Sequence, residues 1–185
     1  MFPGGSGSKQ AAGLGEAGRE KVRAFVAGGG AYLGICAGCY LACENFSWSL
    51  KILDAKTRSS KWERGKAVLD LGFEGGAESL FGLDAKVEVR YQNGPVMEPA
   101  HSPDIPDFET IAVFGSEVAK NGTPKRPQVG TPAILRHLRQ WASRRDIPPP
   151  RADRCTAANR ADPRQMGGRA RVIALVPAGS KRSLP

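Results

Sequence analysis

Across 185 residues the chain has only two histidines, His101 and His137, four cysteines and 7% aromatic residues. Two imidazoles leave little choice of general base for any nucleophile in the chain. The N-terminus, Met1-Phe2-Pro3-Gly4-Gly5, is neither basic nor followed by a long apolar run, so neither a secretory signal nor a membrane span is expected. With few cysteines and no leader, the expected setting is reducing and cytoplasmic. Acidic residues are scarce late in the chain. Residues 1–135 balance 15 Lys+Arg against 15 Asp+Glu, whereas residues 136–185 hold 12 Lys+Arg and three Asp, and so carry the whole net charge of +9. Only Lys181 among those twelve cations is a lysine. This is a break in composition rather than a basic face of one domain. The tail holds a single aromatic, Trp141, and no recognisable motif, so a specific nucleic-acid partner is not expected, although an arginine tail binds polyanions without specificity.

The strongest positive signal is Gly34-Ile35-Cys36-Ala37-Gly38, directly after the apolar run Ala31-Tyr32-Leu33. It reads as strand, tight turn and helix, with Cys36 at the apex of a nucleophile elbow. Gly34 and Gly38 leave room for neighbouring backbone where a side chain would collide. A helix N-terminus aimed at the sulfur would lower the thiol pKa. The alternative is a buried structural cysteine in a strand–helix turn. Cys36, Cys39 and Cys43 are spaced three and four apart, on one helical face. A metal site is conceivable from that spacing, but no fourth ligand lies nearby, and neither metal nor cofactor is expected.

The remaining punctuation suggests a helix over about Gly15–Ala27, ended by Gly28-Gly29-Gly30, and a helix after the elbow to about Glu44. Strand patterns fall at Leu50–Ala55, Ala67–Leu71, Lys86–Tyr91, Thr110–Phe114 and from Thr131. Asn93-Gly94 marks a turn. Residues 95–106 carry four prolines and His101, and read as a loop. The polar stretch 57–65 could hold an anion or be an exposed hairpin. After Leu135 the pattern fails. The run Val172–Val176 could form a strand, but nothing around it supports one. The order of elements at the start suggests an α/β protein with a mostly parallel, doubly wound sheet.

Taken together, Phe2-Pro3-Gly4-Gly5-Ser6, the elbow, Ser59-Ser60-Lys61-Trp62 and Tyr91-Gln92-Asn93-Gly94-Pro95 resemble the N-terminal domain of biotin–protein ligases over roughly residues 1–135. The resemblance implies a class I glutamine amidotransferase-like (flavodoxin-like) sandwich. It implies Cys36 at the nucleophile position, with backbone donors from Gly5 and Ala37 forming an oxyanion hole. Two departures follow. The family's fold begins with a strand and helix ahead of the Pro-Gly-Gly loop. Its amidotransferase relatives end with a Ser-Pro-His-Pro-Glu type segment, which this chain lacks. Codons compatible with Leu135–Arg154, shifted by one base, spell a turn, a strand and that missing segment, so a frameshift near Leu135 is the expected origin of an Arg/Pro-rich, disordered or out-of-frame tail over 136–185. The Gly-Arg run Met166–Arg171 bears only a faint likeness to a biotin-adenylate loop, and the chain has no room for a ligase domain.

The expected function is a binding or regulatory module without full catalysis, its small-molecule ligand or partner domain left open. The alternative is a cysteine-dependent amidohydrolase or amidotransferase using Cys36, with His101 or His137 as base. An incomplete sandwich leaves sheet edges and apolar faces open, so self-association is also expected.

Overall fold

The structure is a computed structural model that describes residues 1–58, 65–80, 82–118, 128–139 and 170–175. Ser59–Trp62, Trp141, Cys155, most of the 57–65 stretch and most of Met166–Arg171 lie outside the described residues. Helix α1 covers Gly7–Ala27 and β1 covers Tyr32–Ile35; α2 is Ala37–Ala42. Strands β2 (Ala55–Thr57), β3 (Lys66–Phe73), β4 (Lys86–Gln92), β5 (Met97–Pro99), β6 (Glu109–Phe114), β7 (Pro132–Arg139) and β8 (Ala170–Leu175) follow.

Helix α1 begins earlier than its apolar stripe suggested. The Ser6 hydroxyl accepts from the Lys9 N–H and caps it. Gly15 takes φ 62° inside it and kinks the axis, so the stripe from Val22 onward reports only the second half. Arg23 ties that half down, donating to the Leu50 and Ser49 carbonyls at 3.1 and 3.3 Å.

Six strands form one sheet in the order β1-β8-β7-β6-β3-β4, and β2 and β5 form a separate antiparallel pair. Only β1 and β8 run parallel; every other strand pair is antiparallel. The expected mostly parallel sandwich is therefore wrong, although the protein is α/β. A parallel pair needs a long crossover, usually helical, between its strands. Among the described residues no α-helix follows α2, only a 3₁₀ turn at Ala77–Leu80, so strands β3 to β7 can pair only by doubling back. The alternation of Lys86–Tyr91 was already the mark of an antiparallel strand with one solvated face.

Two further differences concern the strands themselves. Leu50–Leu53 is not a strand; Leu50 and Leu53 are buried in an irregular segment whose amides at Leu50, Ile52 and Leu53 donate to the Leu41 and Ala42 carbonyls. The sheet continues past Leu135: β7 runs to Arg139, and Arg136 forms a two-pronged ion pair with Glu109 at 2.7–3.0 Å across the β6–β7 register. Strand β8 comes from the region where no strand was supported and fills the place between β7 and β1.

The core joins Leu41, Leu50 and Leu53 from the helical side to Leu69, Leu71, Tyr91, Phe114 and Leu135 from the sheet, all 2% exposed or less. Tyr91 and Phe114 meet edge to face at 5.8 Å. This packing holds β1 and α2 as a fixed platform.

Candidate functional site

Cys36 sits between the end of β1 and the start of α2, with φ 52° and ψ −97°. A residue with a Cβ reaches that region only under strain, and here the surroundings hold it there. The glycines on either side explain how. A Cβ on Gly34 would lie 2.8 Å from the backbone of Gly38, and one on Gly38 would lie 2.4 Å from the Phe2 carbonyl oxygen. Both approaches are closer than any real methyl tolerates, so the turn can close only with hydrogen at those positions.

The N-terminal segment forms the neighbouring wall. The Phe2 amide donates to the Leu33 carbonyl at 2.8 Å, and the Ile35 amide donates to the Phe2 carbonyl at 2.9 Å, a short parallel bridge along β1. The Phe2 ring stacks on Tyr32 at 5.2 Å, and the Tyr32 hydroxyl donates to the Gly38 carbonyl at 2.8 Å. Gln10 Nε2 donates to the Pro3 carbonyl at 2.8 Å and pins the glycine loop from the helix side. Gly5 takes φ 131° and turns its amide toward Cys36.

The backbone amides of Ala37 and Gly5 both favour the anionic form of the sulfur. Cys36 is 8% exposed, and its Sγ–H donates to the Gln92 carbonyl at 3.8 Å. Burial raises the thiol pKa, and the two amides only partly offset it. The expected lowering is therefore reversed: desolvation outweighs the dipoles, and the proton that stays on sulfur has an acceptor in Gln92. Burial also raises Cys39, and lifts Cys43 to about 12. Both are core residues: the Cys39 thiol donates to the Gly34 carbonyl at 3.4 Å, and Cys43 Sγ lies 3.9 Å from Met97 Sδ. The three cysteines therefore do not converge, and among the described residues no group of three His, Cys, Asp or Glu could hold a metal ion.

Gln92 belongs to the Tyr91-Gln92-Asn93-Gly94-Pro95 segment, 56 residues from Cys36, which the fold lays against the elbow. Tyr91, fully buried, donates to the Gly94 carbonyl at 2.6 Å and fixes the turn in which Asn93 has φ 51°. The Tyr40 hydroxyl reaches the Asn93 carbonyl at 3.5 Å, binding the turn to α2. Sequence alone marked the segment, but not that its backbone carbonyl would be the sulfur's partner.

Neither histidine joins the site. His101 is exposed, with φ 58°, and its neighbours are tied elsewhere: the Ala100 amide donates to the Asp54 carbonyl and the Ser102 amide to Asp54 Oδ1 at 2.7 Å. His137 is buried on β7 in register with Val172, which is in register with Tyr32. It stands two strands across and four residues back from Cys36, roughly 16 Å by strand spacing and rise. It lines a separate cavity of about 330 Å³ with Arg23, Glu44, Lys51, Ser102 and Asp104.

Residues 1–60 match the family model for the N-terminal part of biotin-protein ligase. The match covers the glycine loop and the elbow. No curated protein matches the chain. Among solved structures, a β-galactosidase from Bacillus circulans sp. alkalophilus is similar at 11% identity and a TM-score of 0.48, and one from Rahnella sp. R3 at 13% and 0.45. Each likeness covers 88% of this chain but 18% of the other, so the chain spans under a fifth of those proteins.

Proposed function

We propose that the chain is an amidotransferase-like module, similar to the N-terminal part of biotin-protein ligases, that binds or regulates rather than cleaves amides. The observation that supports this reading is the state of Cys36. Its sulfur occupies the elbow apex where two main-chain amides favour its anion, yet it is buried, its proton is held on the Gln92 carbonyl, neither histidine is among its partners, and His137 stands two strands away. Amide cleavage needs a thiolate and a proton donor for the leaving amine. The two amides that favour an anion there support an anion-accepting role, and among the described residues no histidine is a partner of the sulfur, which speaks against proton transfer. What remains suits a carbonyl or carboxylate oxygen placed against the Gly5 and Ala37 amides, with no covalent step to follow. The ligand would come from a small molecule or a neighbouring domain.

The test is the alkylation rate of Cys36 by iodoacetamide against pH, followed by peptide mass mapping, with ammonia release from glutamine measured in parallel. The expected result is a rate midpoint above the ordinary thiol value of about 8.5 and no ammonia above the background of Cys36→Ser. A midpoint near 7, together with ammonia release abolished in Cys36→Ser, would establish the catalytic alternative.

A further inference from the structure

The cavity at the end of α1 is assembled from segments far apart in the chain. Its walls are the last turns of α1 (Arg23, Val26, Ala27), the segment after α2 (Glu44, Lys51, Ile52) and the loop from Ser102 to Pro106. Val26 and His137 are buried and lie at its depth; Lys51 and Asp104 are exposed and mark its mouth. Each wall is held by hydrogen bonds of its own. Arg23 donates to the Ser49 and Leu50 carbonyls. The Glu44 amide donates to the Ala55 carbonyl at 2.9 Å, and the Ile52 amide to the Ala42 carbonyl at 3.1 Å. Asp54, fully buried, anchors the loop: its Oδ1 accepts from the Ser102 amide at 2.7 Å and its carbonyl from the Ala100 amide at 3.3 Å. The space of about 330 Å³ is therefore preformed, and its size suits a small organic molecule.

Backbone strain marks the same place. Among the described residues four non-glycine residues have positive φ. Cys36 and Asn93 belong to the elbow; Lys51, at φ 52°, stands in the wall of this cavity, and His101, at φ 58°, adjoins Ser102. Strained residues cluster at binding sites, where the surroundings hold them.

The charges select the kind of ligand. Arg23 is engaged already, because besides its two carbonyls it pairs with Glu16 and Glu20. Glu44, Asp104 and Lys51 form no ion pair among the described residues. Two carboxylates are thus set against one ammonium. The end of α1 adds the negative end of a helix dipole, and its last turn holds no basic residue to offset that field. Val26, Ile52, Ile105 and Pro106 make much of the remaining lining apolar. A bare metal ion would leave that surface uncovered, and an anion would stand against two unpaired carboxylates.

We propose that this cavity binds a small organic cation, an ammonium group on an apolar body. Glu44 and Asp104 hold the ammonium, and the body lies against Val26, Ile52, Ile105 and Pro106. The site goes beyond the reading of Cys36 and shares no residue with it.

The experiment is a ligand-observed NMR titration of the full chain at pH 8, above the ordinary histidine range, with three probes of one shape: benzylamine, benzyl alcohol and benzoate. The expected dissociation constant for benzylamine is about 1 mM, with the alcohol at least about fivefold weaker and benzoate weaker still. Glu44→Gln and Asp104→Asn should each weaken benzylamine at least about threefold and leave the alcohol unchanged, so that loss of charge is told apart from loss of fold. Should a variant lose the alcohol as well, the order of the three probes on the parent decides. Benzylamine that does not bind the parent at 10 mM, or binds no tighter than benzoate, overturns the inference. So does a benzylamine constant unchanged in either carboxylate variant. None of these outcomes bears on the reading of Cys36.

Discussion

Adding one methyl group at Gly38 tests whether the elbow is built as described. In Gly38→Ala the new carbon would stand 2.4 Å from the Phe2 carbonyl oxygen and 3.0 Å from Phe2 Cβ. The obstacle is backbone, which cannot swing aside as a long side chain would. The N-terminal segment must lift from β1. It then loses the Phe2–Leu33 and Ile35–Phe2 hydrogen bonds and the stacking of Phe2 on Tyr32. Two hydrogen bonds at about 1 kcal/mol each and a ring stack at about 1 kcal/mol give about 3 kcal/mol. Alanine is a better helix former than glycine by about 1 kcal/mol, so the net loss is about 2 kcal/mol. With a slope of about 2 kcal/mol per molar urea, the unfolding midpoint falls by about 1 M. Gly13→Ala is the control: it lies in α1 with nothing within 4 Å of the added carbon, so only the propensity gain remains, about 0.5–1 kcal/mol of stabilisation. If Gly38→Ala is as stable as the parent, or follows Gly13→Ala upward, the close approach of Phe2 to the elbow is refuted.

Gly15→Ala should be destabilising by about 1 kcal/mol even though open space surrounds it, because φ 62° strains any residue with a Cβ; urea unfolding beside Gly13→Ala separates strain from crowding. Stability should be full below about pH 8 and fall above it. Cys36, Cys39 and Cys43 have folded pKa values raised by burial, so the unfolded chain releases their protons first, and for Cys43 the loss continues from about 9 to about 12. Each such thiol contributes about 1.4 kcal/mol per pH unit, and Cys43→Ala should reduce the slope of urea stability between pH 9.5 and 10.5 by one proton's worth. An unchanged slope would mean that Cys43 is not buried when folded. Arg136→Ala should cost less than about 1 kcal/mol, because Glu109 is half exposed, and the difference should shrink in 1 M salt.

The elbow was legible because its requirements are local. Gly34 and Gly38 are the residues a strand–helix corner needs, and the spacing around Cys36 names the corner without knowledge of anything distant. The same holds for the charged and apolar alternation of Lys86–Tyr91, and for the glycines that end α1. Sheet direction is a different kind of property. It depends on which strands the chain can bring together with the connections available, and β-loop-α grammar near Cys36 does not extend to a middle region without helices. Strand β8 could not be foreseen either, since a short apolar run amid arginines has no local support and is given a role only by the gap between β1 and β7.

Cys36 shows where that division falls. Its place at a corner, its glycine neighbours and the amide of Ala37 follow from a few adjacent residues, whereas the amide of Gly5 reaches it only because the N-terminal segment lies along β1. Whether its sulfur is acidic depends on how much water the packed chain removes from it, and whether it has a base depends on where His101 and His137 end up. Both are sums over contacts between segments far apart along the chain. Burial came out larger than the amide field, and the sheet register set His137 at the far end of its strand, with the Gln92 carbonyl as the thiol's acceptor.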